Sequence, residues 1–188
     1  MHQALLEEVR RIRLEADCIA TPAEVEAAIE RMGREISQRL SQANPLIYVV
    51  MNGGLILAGR LLGKLDFPLE VDYLHASRYG QALSGRALDW QVRPQRNLTG
   101  RSVLIVDDVL DEGYTLEAIC QSVRELGAAE VLTAVLVDKR HERKARPGMR
   151  ADFTGLEAPD RFLFGGGMDY KGYWRNAPGI YALKEPGG

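Results

Sequence analysis

Cysteine is scarce in this chain: Cys18 and Cys120 are the only two in 188 residues, and neither sits in a C-x-x-C or histidine spacing. A disulfide framework and a cysteine-held metal are set aside in favour of buried, reduced thiols among apolar helical residues, so the expected compartment is a reducing cytoplasm. Long apolar runs are missing as well. Nothing approaches the roughly 18 residues of a membrane span, and no charged-then-apolar segment opens the chain as a secretory signal would. Charge of one sign does not dominate either. A formal net charge of -2 exerts no general pull on nucleic acid or membrane, and the arginine-rich patches at residues 10–13 and 140–150 read as solvated faces. Repeats and low-complexity blocks are absent. With 46% apolar and 27% charged residues the chain has an ordinary globular composition, and its length suits one domain with a sizeable core.

What is present is an alternation of apolar runs and helical patterns. Leu5, Leu6, Val9, Ile12 and Leu14 mark a partly helical first segment that packs outside the core. Thr21, Pro22 and Glu24 form a helix start with a capping box, after which Val25, Ala28, Ile29, Met32, Ile36 and Leu40 carry one apolar face. Beyond Asn44 and Pro45, residues 46–51 read as a central strand, followed at once by Asn52, Gly53 and Gly54 and a helical stretch over 55–64. Residues 69–74 alternate apolar and charged side chains, as a strand nearer an edge does. The polar stretch 75–99 is long for a connection, and a hairpin with its tip around 80–85, serving as a lid, accounts for it.

Residues 103–115 organise the rest. Val103, Leu104, Ile105 and Val106 read as a strand covered on both faces, and Asp107, Asp108 and Asp111 fall at its carboxyl end, where open α/β sheets bind ligands. Gly113 then allows a turn into a helix over 115–126, whose first N–H groups suit an anion. A further strand over 131–137 ends at Asp138, Lys139 and Arg140, and Phe153, residues 162–164 and residues 180–183 supply short last strands. The short glycine pair at Gly53 and Gly54 gains weight beside this second strand-to-glycine-to-helix junction.

Three families present an apolar strand ending in paired aspartates. A nucleotide triphosphatase needs a GxxxxGK[ST] phosphate loop, which is missing. A phospho-accepting receiver opens with such a strand, but too little chain follows Val103 to complete one. The third match is the closest: residues 103–115 resemble the ribose-phosphate signature of type I phosphoribosyltransferases. Met51, Asn52, Gly53 and Gly54 resemble that family's pyrophosphate loop; Ser77, Arg78, Tyr79 and Gly80 the start of its flexible catalytic loop; residues 137–140 its purine-side lysine loop. Asp152, Phe153, Asp169, Tyr170, Tyr173, Trp174 and Arg175 resemble its carboxyl-terminal hood and narrow the likeness to the 6-oxopurine (hypoxanthine-guanine) enzymes.

The resemblance implies an α/β fold with a central, mostly parallel sheet flanked by helices, a small C-terminal hood and a flexible lid hairpin. It implies one domain over 1–188, with a core at about 20–150 and a hood formed mainly by 151–183, the N-terminal segment packed nearby. The implied reaction transfers 5-phosphoribosyl from phosphoribosyl pyrophosphate to hypoxanthine or guanine with Mg²⁺. By resemblance, Asp107 and Asp108 face the ribose hydroxyls and metal, while Asp111, Glu112, Gly113, Tyr114 and Thr115 hold the 5′-phosphate and Asn52, Gly53 and Arg175 the pyrophosphate. Asp111 is also the candidate base. Lys139 reads the 6-oxo group, Phe162 stacks on the purine, Leu163 offers backbone groups, and Asp169 helps hold a second Mg²⁺. Ser77, Arg78, Tyr79 and Gly80 begin the lid. A homodimer or homotetramer is implied, with no membrane and no nucleic-acid partner.

Plainer readings stand beside these. Lys139 and Arg140 also suit a solvated strand end, Phe162 a core position, and Asp169 with Arg175 a surface ion pair. Adjacent Asp107 and Asp108 are harder to explain without a cation or hydroxyls between them. A non-catalytic regulator that senses phosphoribosyl pyrophosphate and binds nucleic acid through 140–150 is the alternative from another class. The chain departs from the family pattern at Asn52, often lysine; Arg78, often serine; Glu112, usually threonine; and Tyr114, usually basic or polar. Glu112 is expected to point away from the phosphate.

Overall fold

Two sheets divide the work of the fold, a large one that carries a catalytic-looking edge and a small one that closes over it. The structure is a computed structural model describing residues 2–77 and 89–184. Its elements run α1 (His2–Glu15), β1 (Asp17–Ala20), α2 (Pro22–Leu40), β2 (Leu46–Val50), α3 (Gly54–Leu61) with a 3₁₀ turn at Leu62–Lys64, β3 (Glu70–Ser77) and β4 (Asp89–Val92). They continue with β5 (Ser102–Leu110), α4 (Tyr114–Glu125), β6 (Glu130–Arg140), β7 (Phe153–Pro159), β8 (Leu163–Phe164) and β9 (Ile180–Ala182). The large sheet has the order β4-β3-β2-β5-β6-β7, and the small one β1-β9-β8. Every neighbouring pair in the large sheet is parallel except β3 with β4. The chain therefore has the expected α/β architecture.

The central strand explains why. Val103 and Ile105 point into one layer with Ile119 and Val123 of α4. Leu104 and Val106 point into the opposite layer with Ile29 and Met32 of α2 and Leu57 and Leu61 of α3. Period-two alternation thus feeds two cores from one strand. All four strand residues are fully buried, each worth about 1.5–3 kcal/mol relative to exposure. The α2 start is capped as its sequence requires: Thr21 Oγ1 accepts the Glu24 N–H, and Glu24 Oε2 accepts the Thr21 N–H at 2.8 Å.

Several expectations change. Residues 153–159 join the large sheet as β7 beside β6, and do not belong to a separate hood. The small sheet instead recruits β1, whose Asp17 pairs with Ala182. The first segment is a continuous helix, held to the carboxyl-terminal region by the Trp174 Nε1–H bond to the Val9 carbonyl at 2.8 Å and the Tyr170 hydroxyl bond to Glu8 at 2.5 Å. Cys18 is exposed, because its place on β1 turns it outward; only Cys120 is the buried thiol, pushed up to about 11 by burial. Strands β3 and β4, which flank the stretch expected to form the lid, pair antiparallel with Ser77 opposite Asp89. Arg78, Tyr79 and Gly80 lie outside the described residues.

Ile105→Ala removes a side chain that fills the α4-side core. It should lower unfolding stability by about 2–5 kcal/mol in urea titration, with an unchanged denaturant slope.

Candidate active site

The carboxyl edge of the large sheet gathers the polar groups. Strand β5 extends beyond the apolar run to Leu110, so Asp107 and Asp108 are strand residues. Gly113 follows at φ 87°, a left-handed conformation open to glycine at no steric cost, and α4 begins at the next residue. The first-turn N–H groups of α4 have no partner within the helix, and its dipole places partial positive charge there. Across the cleft, Gly53 brings the loop after β2 so close to Asp108 that any Cβ at this position would overlap the carboxylate. The resulting cleft, about 470 Å³, is lined by Asn52, Gly53, Asp107, Asp108, Asp111, Glu112, Gly113, Tyr114, Thr115 and Arg175. Every residue expected around the sugar phosphate is there, together with Arg143, which sequence reasoning passed over.

Electrostatics mark the pair at the cleft floor. Asp108 is 8% exposed, and its N–H donates to Asp107 Oδ1 at 2.9 Å. Burial, and then the charge of Asp108, push the Asp107 carboxyl well above the usual carboxylate range. Burial also raises Asp108, against the opposing hydrogen bond from Asp107 and the charge of Arg175. Among the described residues one cation approaches them: Arg175 Nη1 lies 3.8 Å from Asp108 Oδ2, while it donates to the Gly167 carbonyl at 2.7 Å and Nη2 meets Asp169 Oδ1 at 2.5 Å. Asp169 and Arg175 are thus an ion pair, but one that leans over Asp108.

Asp111 is held differently. Leu110 stands opposite Asp138 in the parallel register of β5 and β6, so Asp111 and Lys139 come side by side one residue later. Lys139 Nζ donates to Asp111 Oδ2 at 2.7 Å, and His141 Nε2 lies 2.7 Å from Oδ1. Burial pushes the Asp111 carboxyl upward, but the hydrogen bonds from Lys139 and His141 outweigh it and leave the group below its ordinary value. Lys139 is 12% exposed, which excludes a solvated strand end, whereas Arg140 is exposed and pairs with Glu157. Lys139 and His141 line an adjoining cavity of about 430 Å³.

A buried lysine underpins both cavities. Lys144 Nζ donates to the carbonyls of Leu110 and Asp111 at 2.9 and 2.7 Å and to Asp138 Oδ1 at 2.8 Å. Asp138 is fully buried and also meets Arg150 at 3.1 Å. Phe162 is 52% exposed, which excludes a core position; its ring meets Tyr170 edge-on at 5.9 Å between centroids. Leu163 is buried on β8, and neither residue lines the two cavities. Glu112, expected to point away, contributes to the cleft, with Arg143 Nε 4.0 Å from its carboxylate. Among the described residues, the group of three ligand-type side chains within 4.8 Å is Asp111, His141 and Asp160, so Asp107, Asp108 and Asp169 do not form one three-ligand site.

The model of the phosphoribosyl transferase domain matches residues 16–168. The chain belongs to the phosphoribosyltransferase family. It is 32% identical to the hypoxanthine-guanine phosphoribosyltransferase of Bacillus subtilis over 86% of this chain and 89% of that protein. A hypoxanthine-guanine-xanthine phosphoribosyltransferase of Tritrichomonas foetus is 30% identical over 86% of this chain and 88% of its own length. The crystal structure of a hypoxanthine phosphoribosyltransferase from Staphylococcus aureus superposes with a TM-score of 0.83 at 25% identity, covering 92% of this chain and 94% of that one. Within this phosphoribosyltransferase, His141, Arg143 and Lys144 lie in a basic stretch that reads in sequence as a solvated face, and no spacing in it marks them out.

Lys144→Met should leave Asp138 with Arg150 as its remaining counter-charge. The expected loss is about 3 kcal/mol of unfolding stability, and a urea midpoint equal to the parent's would contradict the burial of this pair.

Proposed function

We propose that this phosphoribosyltransferase salvages purines, transferring 5-phosphoribosyl from phosphoribosyl pyrophosphate to hypoxanthine or guanine and releasing IMP or GMP and pyrophosphate. The observation that carries the reading is the Asp111 carboxylate, ionised between Lys139 and His141 at the rim of a cleft whose floor holds Asp107 and Asp108. The names of the hypoxanthine-guanine relatives support the same substrates.

The α4 start supplies backbone N–H groups and the Thr115 hydroxyl for the 5′-phosphate. Asp107 and Asp108 accept from the ribose hydroxyls. Oxygen donors alone, adjacent and both raised by burial, suit a hard divalent cation, so these two residues would hold Mg²⁺, with Asp169 beside a second. Bound there, Mg²⁺ would neutralise charge on the departing pyrophosphate. Arg175 and the loop at Asn52 and Gly53 face the same leaving group. Purine N9 bonds to the anomeric carbon as the bond to pyrophosphate breaks with its electron pair, and the imidazole proton of the purine passes to Asp111. Lys139 carries three N–H donors, so it can donate to a 6-oxo group that adenine lacks while staying near Asp111. The exposed Phe162 ring offers a face for stacking. A lid beginning at Ser77, Arg78, Tyr79 and Gly80 would keep water from the activated sugar.

The regulator reading loses its main support, since the arginines of 140–150 are matched by acids: Arg140 and Arg150 by Glu157, Arg143 by Asp160 and Arg146 by Glu117. Little uncompensated positive field remains for nucleic acid. Among the described residues no helix is long and apolar enough to cross a membrane. A cytoplasmic setting goes with two free thiols, and a homodimer or homotetramer with the exposed Val71 and Tyr73 on β3.

Spectrophotometric turnover of hypoxanthine, guanine, xanthine and adenine with phosphoribosyl pyrophosphate and Mg²⁺ tests the reading; absence of turnover with tight nucleic-acid binding would reverse it. Asp111→Ala should lower kcat by about 10²–10⁴-fold with little change in sugar-phosphate binding. Lys139→Ala should relax discrimination against adenine or abolish purine binding, and unaltered selectivity would remove Lys139 from base recognition.

A further inference from the structure

His141 is a buried histidine without a part in the transfer derived above; its side chain is 5% exposed. Its protonation pattern follows from its neighbours. Nδ1 accepts the backbone N–H of Arg143 at 3.1 Å. A ring nitrogen that accepts a hydrogen bond carries no proton, so the proton resides on Nε2, which donates to Asp111 Oδ1 at 2.7 Å. Lys139 occupies the other oxygen, Oδ2, at 2.7 Å.

We propose that His141 is the positioning residue for Asp111: it holds Oδ1 and leaves Oδ2 to meet the purine, so the carboxylate keeps its orientation when Lys139 turns to the 6-oxo group. The inference rests on the function proposed above and deepens it. A carboxylate held by one flexible lysine would swing once that lysine found a new acceptor, because the ammonium sits on four rotatable bonds. An imidazole has no such freedom here. Its loop is tied down by Lys144 on the Leu110 and Asp111 carbonyls and by Arg143 on both oxygens of Asp160, at 2.5 and 3.1 Å. His141 is not itself the base, since a proton on Nδ1 would break its bond to the Arg143 N–H.

Among the described residues, the charged and titratable groups around Asp111 are Lys139 from β6, His141, Arg143 and Lys144 from the loop after β6, Asp160 from the turn after β7, and, next in its own turn, Glu112, which meets Arg143. Removing the His141 donor withdraws stabilisation from the ionised form, so the Asp111 pKa rises. A base works when ionised, and the acid limb of kcat/KM therefore moves to higher pH.

The test compares wild type, His141→Ala and His141→Gln. His141→Ala should lower kcat about 10-fold or more, change KM for phosphoribosyl pyrophosphate less, and shift the acid limb upward. His141→Gln, whose amide N–H can donate to the same oxygen, should recover most of both. Carboxyl ¹³C titration of Asp111 should show the same upward move in His141→Ala without any turnover, and imidazole ¹⁵N shifts in wild type should place the proton on Nε2. Active wild type with an unchanged His141→Ala profile, an unmoved Asp111 titration, or a proton on Nδ1 each overturns the inference. A wild type without turnover would instead end the function reading, while the two resonance measurements still decide whether His141 holds the carboxylate. If His141→Ala does not fold, His141→Gln and wild type carry the decision.

Discussion

Carboxylates gathered at one edge of a sheet are costly, and the arrangement of this protein follows from how that cost is met. Burial pushes both Asp107 and Asp108 toward protonation and the charge of Asp108 adds to it at Asp107, while among the described residues Arg175 comes within 3.8 Å of Asp108. Asp111, just beyond β5, and Asp138, opposite Leu110 on β6, are matched by Lys139, His141, Lys144 and Arg150. Among the described carboxylates at this edge, the least matched are thus the two at the cleft floor, where an arriving cation or polar substrate gains most by binding. The site stores its capacity to bind in the part of the charge balance that the protein leaves open.

The sheet provides the rigidity that makes this arrangement possible. Strand β5 is fed by two cores, and the strands on either side of it run parallel, so their carboxyl ends meet at one edge. The same register sets Asp111 beside Lys139 across strands. The small sheet then draws β1, near the amino end, onto β9, and α1 fastens it through Trp174 and Tyr170. The closing layer is thereby tied to both ends of the described chain.

Departures from the family pattern also find partners. Glu112, where threonine is usual, lines the cleft but has Arg143 within 4.0 Å, and Arg143 is fixed by Asp160. The charge that Glu112 brings to the cleft is thus set against the Arg143 guanidinium. At Asn52 the loop keeps its close approach to Asp108 through Gly53, so what the missing lysine removes is charge, and the geometry of the loop stays.

Local pattern was enough for the element types. Four branched apolar residues before Asp107 specify a strand covered on both faces, and Thr21 with Glu24 specifies a capped helix start, because backbone preference and side-chain spacing are properties of neighbouring residues. The same spacing put the acidic and glycine residues of 107–113 at a strand end, and the structure brings them into one cleft. Contacts between distant residues were a different matter. That Phe153–Pro159 completes the large sheet, that Cys18 faces outward, and that Lys144 reaches back to Leu110, Asp111 and Asp138 all depend on which strands lie side by side. His141 shows the limit best: in the chain it is one more polar residue in a basic stretch, and only strand register and burial turn it into a donor for Asp111, because a hydrogen bond depends on where two groups meet in space and not on how far apart they are along the chain.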